Sequence, residues 1–255
     1  MATRLSPSNP RIEALRKLAA AKGRREAGRF VAEGTTMLEE AQRSGSFPLE
    51  IYGTATALDA AAGRFAGPET AAFEIEERSY ERVTTMETWE GILGVFAIPE
   101  TSLASIVARP GPILLLAEVG DPGNAGTLVR SAEAFGAAGV LFGRGGADPY
   151  GPKVVRATMG SIFRVPVATV EAEPVLAAAQ ASGRPVFATD LAGDDLHTVA
   201  IPGNAIIAIG NELRGVRGWL PRWDRAVRIP HERVTESLNA AVAGSIVLYE
   251  SRRVK

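Results

Sequence analysis

Apolar residues recur along this chain with two periods, and the alternation between them sketches the fold. Ile12, Leu15, Leu18 and Ala19 follow helical spacing behind Asn9-Pro10, a good cap and first position, so one helix is expected over 9–21. A short strand over 29–32 leads into a helix over 35–43. A strand over 49–52, a helix over 55–64, a strand over 72–75, a helix over 77–85 and an apolar strand over 91–98 follow. Strands alternating with helices predict a small α/β layer domain. Pro99-Glu100-Thr101-Ser102 opens a linker that Arg109-Pro110-Gly111-Pro112 closes, giving expected domains 1–105 and 110–255.

Beyond the linker the strands change character. Residues 113–117 form a continuous apolar run, as a parallel strand covered on both faces should. Similar runs lie at 139–142, 165–168, 185–188 and 205–209, with helical patterns over 124–136 and 171–182. The tail, 237–252, reads as a helix with Ser237 as N-cap and Leu238, Ala241, Val242, Ser245 and Ile246 on one face. Right-handed crossovers make 112–255 an open parallel sheet with helices on both faces.

Composition narrows the function classes. Of 255 residues, 46% are apolar and 22% charged, an ordinary globular balance. The absence of cysteine excludes disulfides, thiolate nucleophiles and cysteine-ligated zinc. His197 and His231 are too few for a histidine-rich site, so no metal is expected. There is neither an apolar signal core at the start nor a run of about 18 apolar residues, so the expectation is a cytoplasmic protein without a membrane. The net charge of −1 hides an asymmetry. Residues 1–33 carry Arg4, Arg11, Arg16, Lys17, Lys22, Arg24, Arg25 and Arg29 against Glu13, Glu26 and Glu33, a net +5. Such an end can reach phosphates, although on charge alone a solvated helix face is the simpler reading.

Ligands of open parallel sheets bind beyond the carboxyl ends of the strands. Three polar loops fit, the first two of them glycine-bearing: 118–130 after the first run, 210–215 after the fifth, and 229–239 after a short strand over 226–228. Taken singly, their glycines read as tight strand-to-helix turns. The first loop is not G-x-G-x-x-G, and the next strand lacks the acid that a dinucleotide ribose needs. Gly143-Arg144-Gly145-Gly146 has no Gly-Lys-Ser/Thr after it. Asn124 sits where a helix cap would. Arg130, six residues on, is expected to project back toward the loop, paired with Glu118 or Glu133 or held for a substrate. Asn239 falls in the first turn of the last helix.

DPGNAGTLVRSAEAFG (121–136), IAIGNELRG (207–215) and RIPHERVTESLNAAVAGSIVLYE (228–250) resemble, in order and spacing, three motifs of the SpoU/TrmH RNA 2′-O-ribose methyltransferases of the SPOUT superfamily. KVVRATMGSIFRVP (153–166) resembles a fourth stretch. SPSNPRIEALRKL (6–18) and GRFVAEGTTMLEEA (28–41) look like the small α/β RNA substrate-binding domain often fused ahead of it. The resemblance implies a parallel sheet with helices on both faces whose C-terminal segment threads a deep trefoil knot. It also implies a homodimer with the active site near the subunit interface. S-adenosylmethionine would lie against Thr189, Gly210, Ile229, Ser237 and Leu238, with Ala188-Thr189-Asp190 as a wall. Activation of the ribose hydroxyl would fall to Arg130, with Asn124, Glu212 and Asn239 ordering the site. A guanidinium could lose its proton beside the sulfonium charge. Alternatively, it stays charged and stabilises the forming alkoxide while water or phosphate takes the proton, the version that magnitude favours.

RNA, ribosomal rather than transfer RNA by the likeness of the N-terminal domain, would meet Arg11, Arg24, Arg25, Arg156 and Arg214, with Arg164 and Arg217 as further candidates. Three departures bear on substrate choice: Leu213 where a glycine is common, His231 where a methionine is common, and Thr158 where a serine is common. His231 reads as a loop or rim residue rather than a base. Two other classes remain in view. A non-catalytic RNA-binding protein on this fold would be expected to have lost Arg130, Glu212 or Asn239. An NAD-dependent oxidoreductase would need the missing fingerprint.

Overall fold

In the computed structural model, which describes residues 2–232 and 237–253, the chain begins with ten short elements. They are β1 (Thr3–Arg4), α1 (Pro10–Lys17), α2 (Ala21–Ala27), β2 (Arg29–Glu33), α3 (Thr35–Arg43), β3 (Glu50–Gly53), α4 (Ala55–Ala61), β4 (Ala71–Glu74), α5 (Glu77–Glu81) and β5 (Ile92–Ala97). The single helix expected over 9–21 is two. Asn9 caps α1 by accepting from Arg11 N, α1 ends at Lys17, and α2 starts afresh at Ala21. The sheet runs β1-β4-β3-β5-β2, with β5 antiparallel to both its neighbours and the rest parallel. Leu5, Ile12, Leu15, Tyr52, Phe73 and Tyr80 fill the core beneath it.

The rest of the chain holds α6 (Leu103–Val107), β6 (Ile113–Ala117), α7 (Pro122–Ala134), β7 (Gly139–Gly143), α8 (Pro152–Ala157), β8 (Val167–Val170), α9 (Ala172–Ser182), β9 (Val186–Asp195), β10 (Ile206–Gly210), β11 (Arg225–Arg228) and α10 (Ala240–Glu250). Two compact units result. Met1–Pro99 and Tyr150–Phe163 make the first; Glu100–Pro149 and Arg164–Lys255 make the second. The expected linker therefore becomes structure. Ser102 and Ser105 form a reciprocal capping box at the start of α6, and Ile106 is fully buried in the second core. Segment 150–163, expected in the C-terminal domain, packs with the first unit through aromatic rings. Phe30 lies 4.9 Å from Tyr150, and Phe96 lies 4.9 Å from Phe163.

In the second unit the sheet is β11-β9-β10-β6-β7-β8, and every pair is parallel. Ile113 to Ala117 pair with Ile206 to Gly210, and all but Gly210 are buried. This is how strands covered on both faces read in sequence. The chain steps outward from β6 to β8, then crosses to β9, and β10 inserts between β9 and β6. That reversal is a topological switch point, where open sheets leave a crevice. Helix α10 packs on α7 and β10. At Gly244 a Cβ would lie 2.4 Å from the Leu128 side chain, so glycine lets the helices approach here without shifting that side chain.

Candidate functional site

A cavity of about 570 Å³ opens at the carboxyl edge of β9, β10 and β11. Thr189 follows the last β9–β10 pair, Ala188 with Ala208, and its hydroxyl donates to Ala208 O at 3.2 Å. Gly210 ends β10. A Cβ there would sit 2.2 Å from Gly215 C and Val216 N, so the floor of the cavity requires glycine. Ile229 follows β11, and Ser237 and Leu238 precede α10. All five residues expected to touch a methyl donor line this one cavity, as do Asp190 and the apolar Leu191, Ile209, Val227 and Ala243. His231 stands in its lining with Nδ1 2.8 Å from Ile229 O, a loop residue at the rim.

Three residues expected to order the chemistry meet beside the cavity. Asp121 caps α7 by accepting from Asn124 N at 2.7 Å, which frees the Asn124 side chain from capping. Asn124 Nδ2 donates to Glu212 Oε1 at 3.0 Å, across 88 residues of sequence. Asn239 Nδ2 donates to Asn124 Oδ1 at 2.8 Å, across 115. Asn239, not Ser237, is the cap of α10; its Oδ1 accepts from Ala241 N and Val242 N at 2.9 and 3.2 Å. An ionised carboxylate only accepts, so Glu212 fixes which way the Asn124 amide faces, and Asn124 then fixes Asn239. Burial disfavours the charged form of Glu212. The donations from Asn124 and from the backbone, Gly120 N among them, outweigh it and hold the carboxyl below its ordinary pKa.

Arg130 departs from expectation. Six residues at about 100° each carry it some 120° around α7 from Asn124, onto the exposed stripe of Gly123, Thr127 and Ala134. It does not line the cavity, and neither expected acid pairs with it. Glu118 holds Arg214 at 2.6 Å, and Glu133 holds Arg164. Beside the stripe, α10 is mostly apolar, with only Ser245, Tyr249 and Glu250 carrying polar groups. Val242 is 49% and Tyr249 53% exposed, and Ser131···Ser245 at 2.7 Å and a Phe135–Tyr249 edge contact join the two helices.

Two participants take roles that sequence did not assign them: Glu118, considered there only as a partner for Arg130, and Asn211. Glu118 takes a left-handed φ of 62° directly after β6, a conformation costly for a residue with a Cβ and typical of functional sites. Asn211 Nδ2 donates to Glu118 O at 3.0 Å and so ties the second loop to the first. Positive φ outside glycine leaves no mark in sequence. Asn at the first position of a tight turn does, and could have been read.

The expected RNA contacts divide. Arg24 is a correction. It is 4% exposed, and Nη1 donates to Leu18 O and Ala19 O at 2.7 and 2.8 Å, so it seals the break between α1 and α2. Arg25 is exposed. Arg11 is exposed, lies 4.6 Å over the Phe73 ring and pairs with Glu50 at 2.9 Å. Arg156 is half-buried in a recess with Glu33, Met37 and Thr85. In the second unit Arg214 and Arg217 line the cavity, paired with Glu118 and Asp190. Among the described residues no cluster of acids and histidines could hold a metal, and no helix is long and apolar enough to cross a membrane.

Comparison with known proteins places this geometry. Residues 111–249 match the SpoU rRNA methylase family, and residues 9–94 match an MRM3-like substrate binding domain. Over 252 residues the chain is 32% identical to the 23S rRNA (guanosine(2553)-2′-O)-methyltransferase RlmP of Bacillus subtilis, covering 97% of this chain and 98% of that protein. Over 171 residues it is 34% identical to the 23S rRNA (uridine(2479)-2′-O)-methyltransferase of Streptomyces viridochromogenes, covering 64% and 60%. The AdoMet-bound rRNA methyltransferase from Sinorhizobium meliloti superposes with a TM-score of 0.85 at 30% identity, over 99% of this chain and 98% of that one. The SpoU methyltransferase AviRb of S. viridochromogenes, in complex with AdoMet, gives 0.85 at 27%, over 96% and 97%.

Proposed function

The chain belongs to the SpoU rRNA methylase family and is an S-adenosylmethionine-dependent rRNA ribose 2′-O-methyltransferase, and from that premise we propose how its residues share the work. One observation carries the reading: segments 88 and 115 residues apart close a single Glu212–Asn124–Asn239 chain at the edge of one cavity.

The cavity suits the donor. Its volume falls in the roughly 300–1,000 Å³ that encloses a ligand of this size. Gly210 keeps its floor open to main-chain contact, apolar walls suit an adenine ring, and Asp190 offers a carboxylate. Thr189, Gly210, Ile229, Ser237 and Leu238 hold the donor. Bound there, S-adenosylmethionine supplies an electrophilic methyl carbon. The enzyme's own task is then to align the ribose 2′-oxygen and stabilise the charge that develops on it. Asn124 and Asn239, locked in one orientation by Glu212, present fixed amide dipoles to the ribose. Arg130 stays protonated and stabilises the alkoxide as it forms, while water or phosphate takes the proton.

Arg130 reaches that position from a second copy of the chain. Its exposed stripe on α7 joins the bare apolar face of α10, where Val242, Ile246 and Tyr249 await cover, so a two-fold dimer through α7 and α10 buries both. The C-terminal segment threads a knot. Supporting this are the insertion of β10 between β9 and β6 and the seat of α10 on α7 and β10. The first unit binds rRNA through Arg11, Arg25 and Arg156, and the second adds Arg214.

Hybrid dimers test the reading. Arg130→Ala leaves donor affinity within about twofold and lowers methyl transfer about 10²–10³-fold. Mixed with Glu212→Gln, it forms hybrids with one intact composite site, and activity returns. No recovery in hybrids shown to form by mass spectrometry would place Arg130 in its own subunit's site. Unchanged turnover in Arg130→Ala would remove it from the chemistry.

A further inference from the structure

Leu213 is 95% exposed, more than any other large apolar residue described. It stands at the mouth of the cavity with Leu191, itself 64% exposed. Its side chain therefore contributes little to the fold, yet its backbone is tightly held. Asn211 Oδ1 accepts from Leu213 N at 3.0 Å and from Arg214 N at 3.2 Å. Gly215 N donates to Asn211 O at 2.9 Å, and Asn211 Nδ2 anchors the whole turn on Glu118 O at 3.0 Å. A greasy tip on a braced turn stands one residue from Glu212, which orders the amides that would meet the ribose. Arg214, the next residue, offers a cation beside it.

We infer that Leu213 is a wedge that enters the rRNA beside the target nucleotide and fills the gap left when that nucleotide leaves its stack. This deepens the methyl-transfer reading and rests on it. A ribose inside a helix cannot bring its 2′-oxygen to the Asn124–Glu212–Asn239 cluster without the nucleotide swinging out, and swinging out loses stacking on both neighbours. An apolar side chain inserted at that step replaces part of the lost contact. A rigid turn loses little freedom on insertion, so the gain goes to opening the stack. Arg214 can exchange Glu118 for a flanking phosphate as the wedge enters.

The test uses the full-length protein and S-adenosylmethionine. The wild-type modification is first mapped on protein-free rRNA, and a fragment around it is made twice, with the target nucleotide paired or bulged. Leu213→Ser is expected to lower kcat/KM at least tenfold on the paired fragment and less than threefold on the bulged one. Donor affinity by calorimetry should stay within twofold. Leu213→Met should restore most of the loss. With 2-aminopurine next to the target, wild type should brighten the paired fragment and Leu213→Ser should not. Equal loss on both fragments, no loss on either, or weakened donor binding would overturn the wedge. Failure of the wild-type protein to methylate any rRNA would instead overturn the reading beneath it.

Discussion

Gly210→Ala probes the floor of the cavity with a single methyl group. The added Cβ would lie 2.2 Å from Gly215 C and Val216 N and 2.7 Å from Gly215 O, all main-chain atoms that cannot rotate aside. Ordinary contact begins near 3.4 Å, so turn 211–215 must retreat by roughly 1 Å. That turn carries Glu212. A retreat of this size stretches the 3.0 Å bond from Asn124 beyond hydrogen-bonding range and loosens the 3.0 Å anchor of Asn211 on Glu118. Overpacking costs about 1–3 kcal/mol, and a charge-assisted hydrogen bond about 1.5–3 kcal/mol. A combined loss of about 3–5 kcal/mol lowers Tm by about 6–20 °C for a chain of this length. Displacing catalytic groups by about 1 Å slows transfer about 100-fold, with donor binding weakened as well. Gly203→Ala is the control, because nothing lies within 4 Å of the Cβ it would add. Thermal unfolding, donor calorimetry and tritiated-methyl incorporation into rRNA report the three effects. A Gly210→Ala protein within 2–3 °C and twofold of wild type would refute the close-approach argument.

Two further outcomes follow from the same geometry. The folded-state pKa of Glu212 lies below its ordinary value, so the stabilisation it brings is present above the unfolded pKa of about 4.3 and is lost as pH falls through the folded value. Asn124→Ala should raise that pKa toward the ordinary range, measured by carbon NMR titration of the Glu212 carboxyl; an unmoved titration would show that Asn124 is not its main donor. Arg184 is buried and donates to the carbonyls of Val107, Arg109, Gly111 and Asn204, so Arg184→Ala strips four acceptors at once and should cost at least about 3 kcal/mol in a denaturant titration.

Periodicity found what is locally encoded. Helix α3 and strand β6 have the boundaries expected of them, since each is a clean periodic or continuously apolar segment bounded by turn residues. Strand β9 runs seven residues past its apolar part, through Thr189-Asp190-Leu191-Ala192-Gly193-Asp194-Asp195, none of them buried and four of them polar, so the stretch carries no strand signal. Two of the three loops of the site were legible because each follows an apolar strand, β6 or β10; the third follows only the short, arginine-flanked β11. Their joining by Asn124, Glu212 and Asn239 was not legible, since it depends on strand order rather than on any one segment. Arg130 shows the limit from the other side. Its type and position suggested chemistry, but its direction is set by helical phase, which turns it away from the cavity of its own chain.

Residues 150–163 leave the second unit to complete the first, so the polypeptide crosses between the two at 99, 149 and 163. During synthesis Phe30 and Phe96 emerge long before Tyr150 and Phe163. At about 5–20 residues per second the early unit waits roughly 3–13 s for the rings that seal it. A gene cut after residue 99 would therefore encode an unsealed fragment, and a protease nick there would leave two tethers intact. The substrate-binding half is not a detachable module; it can be borrowed by another enzyme only together with a loop from the middle of the catalytic half.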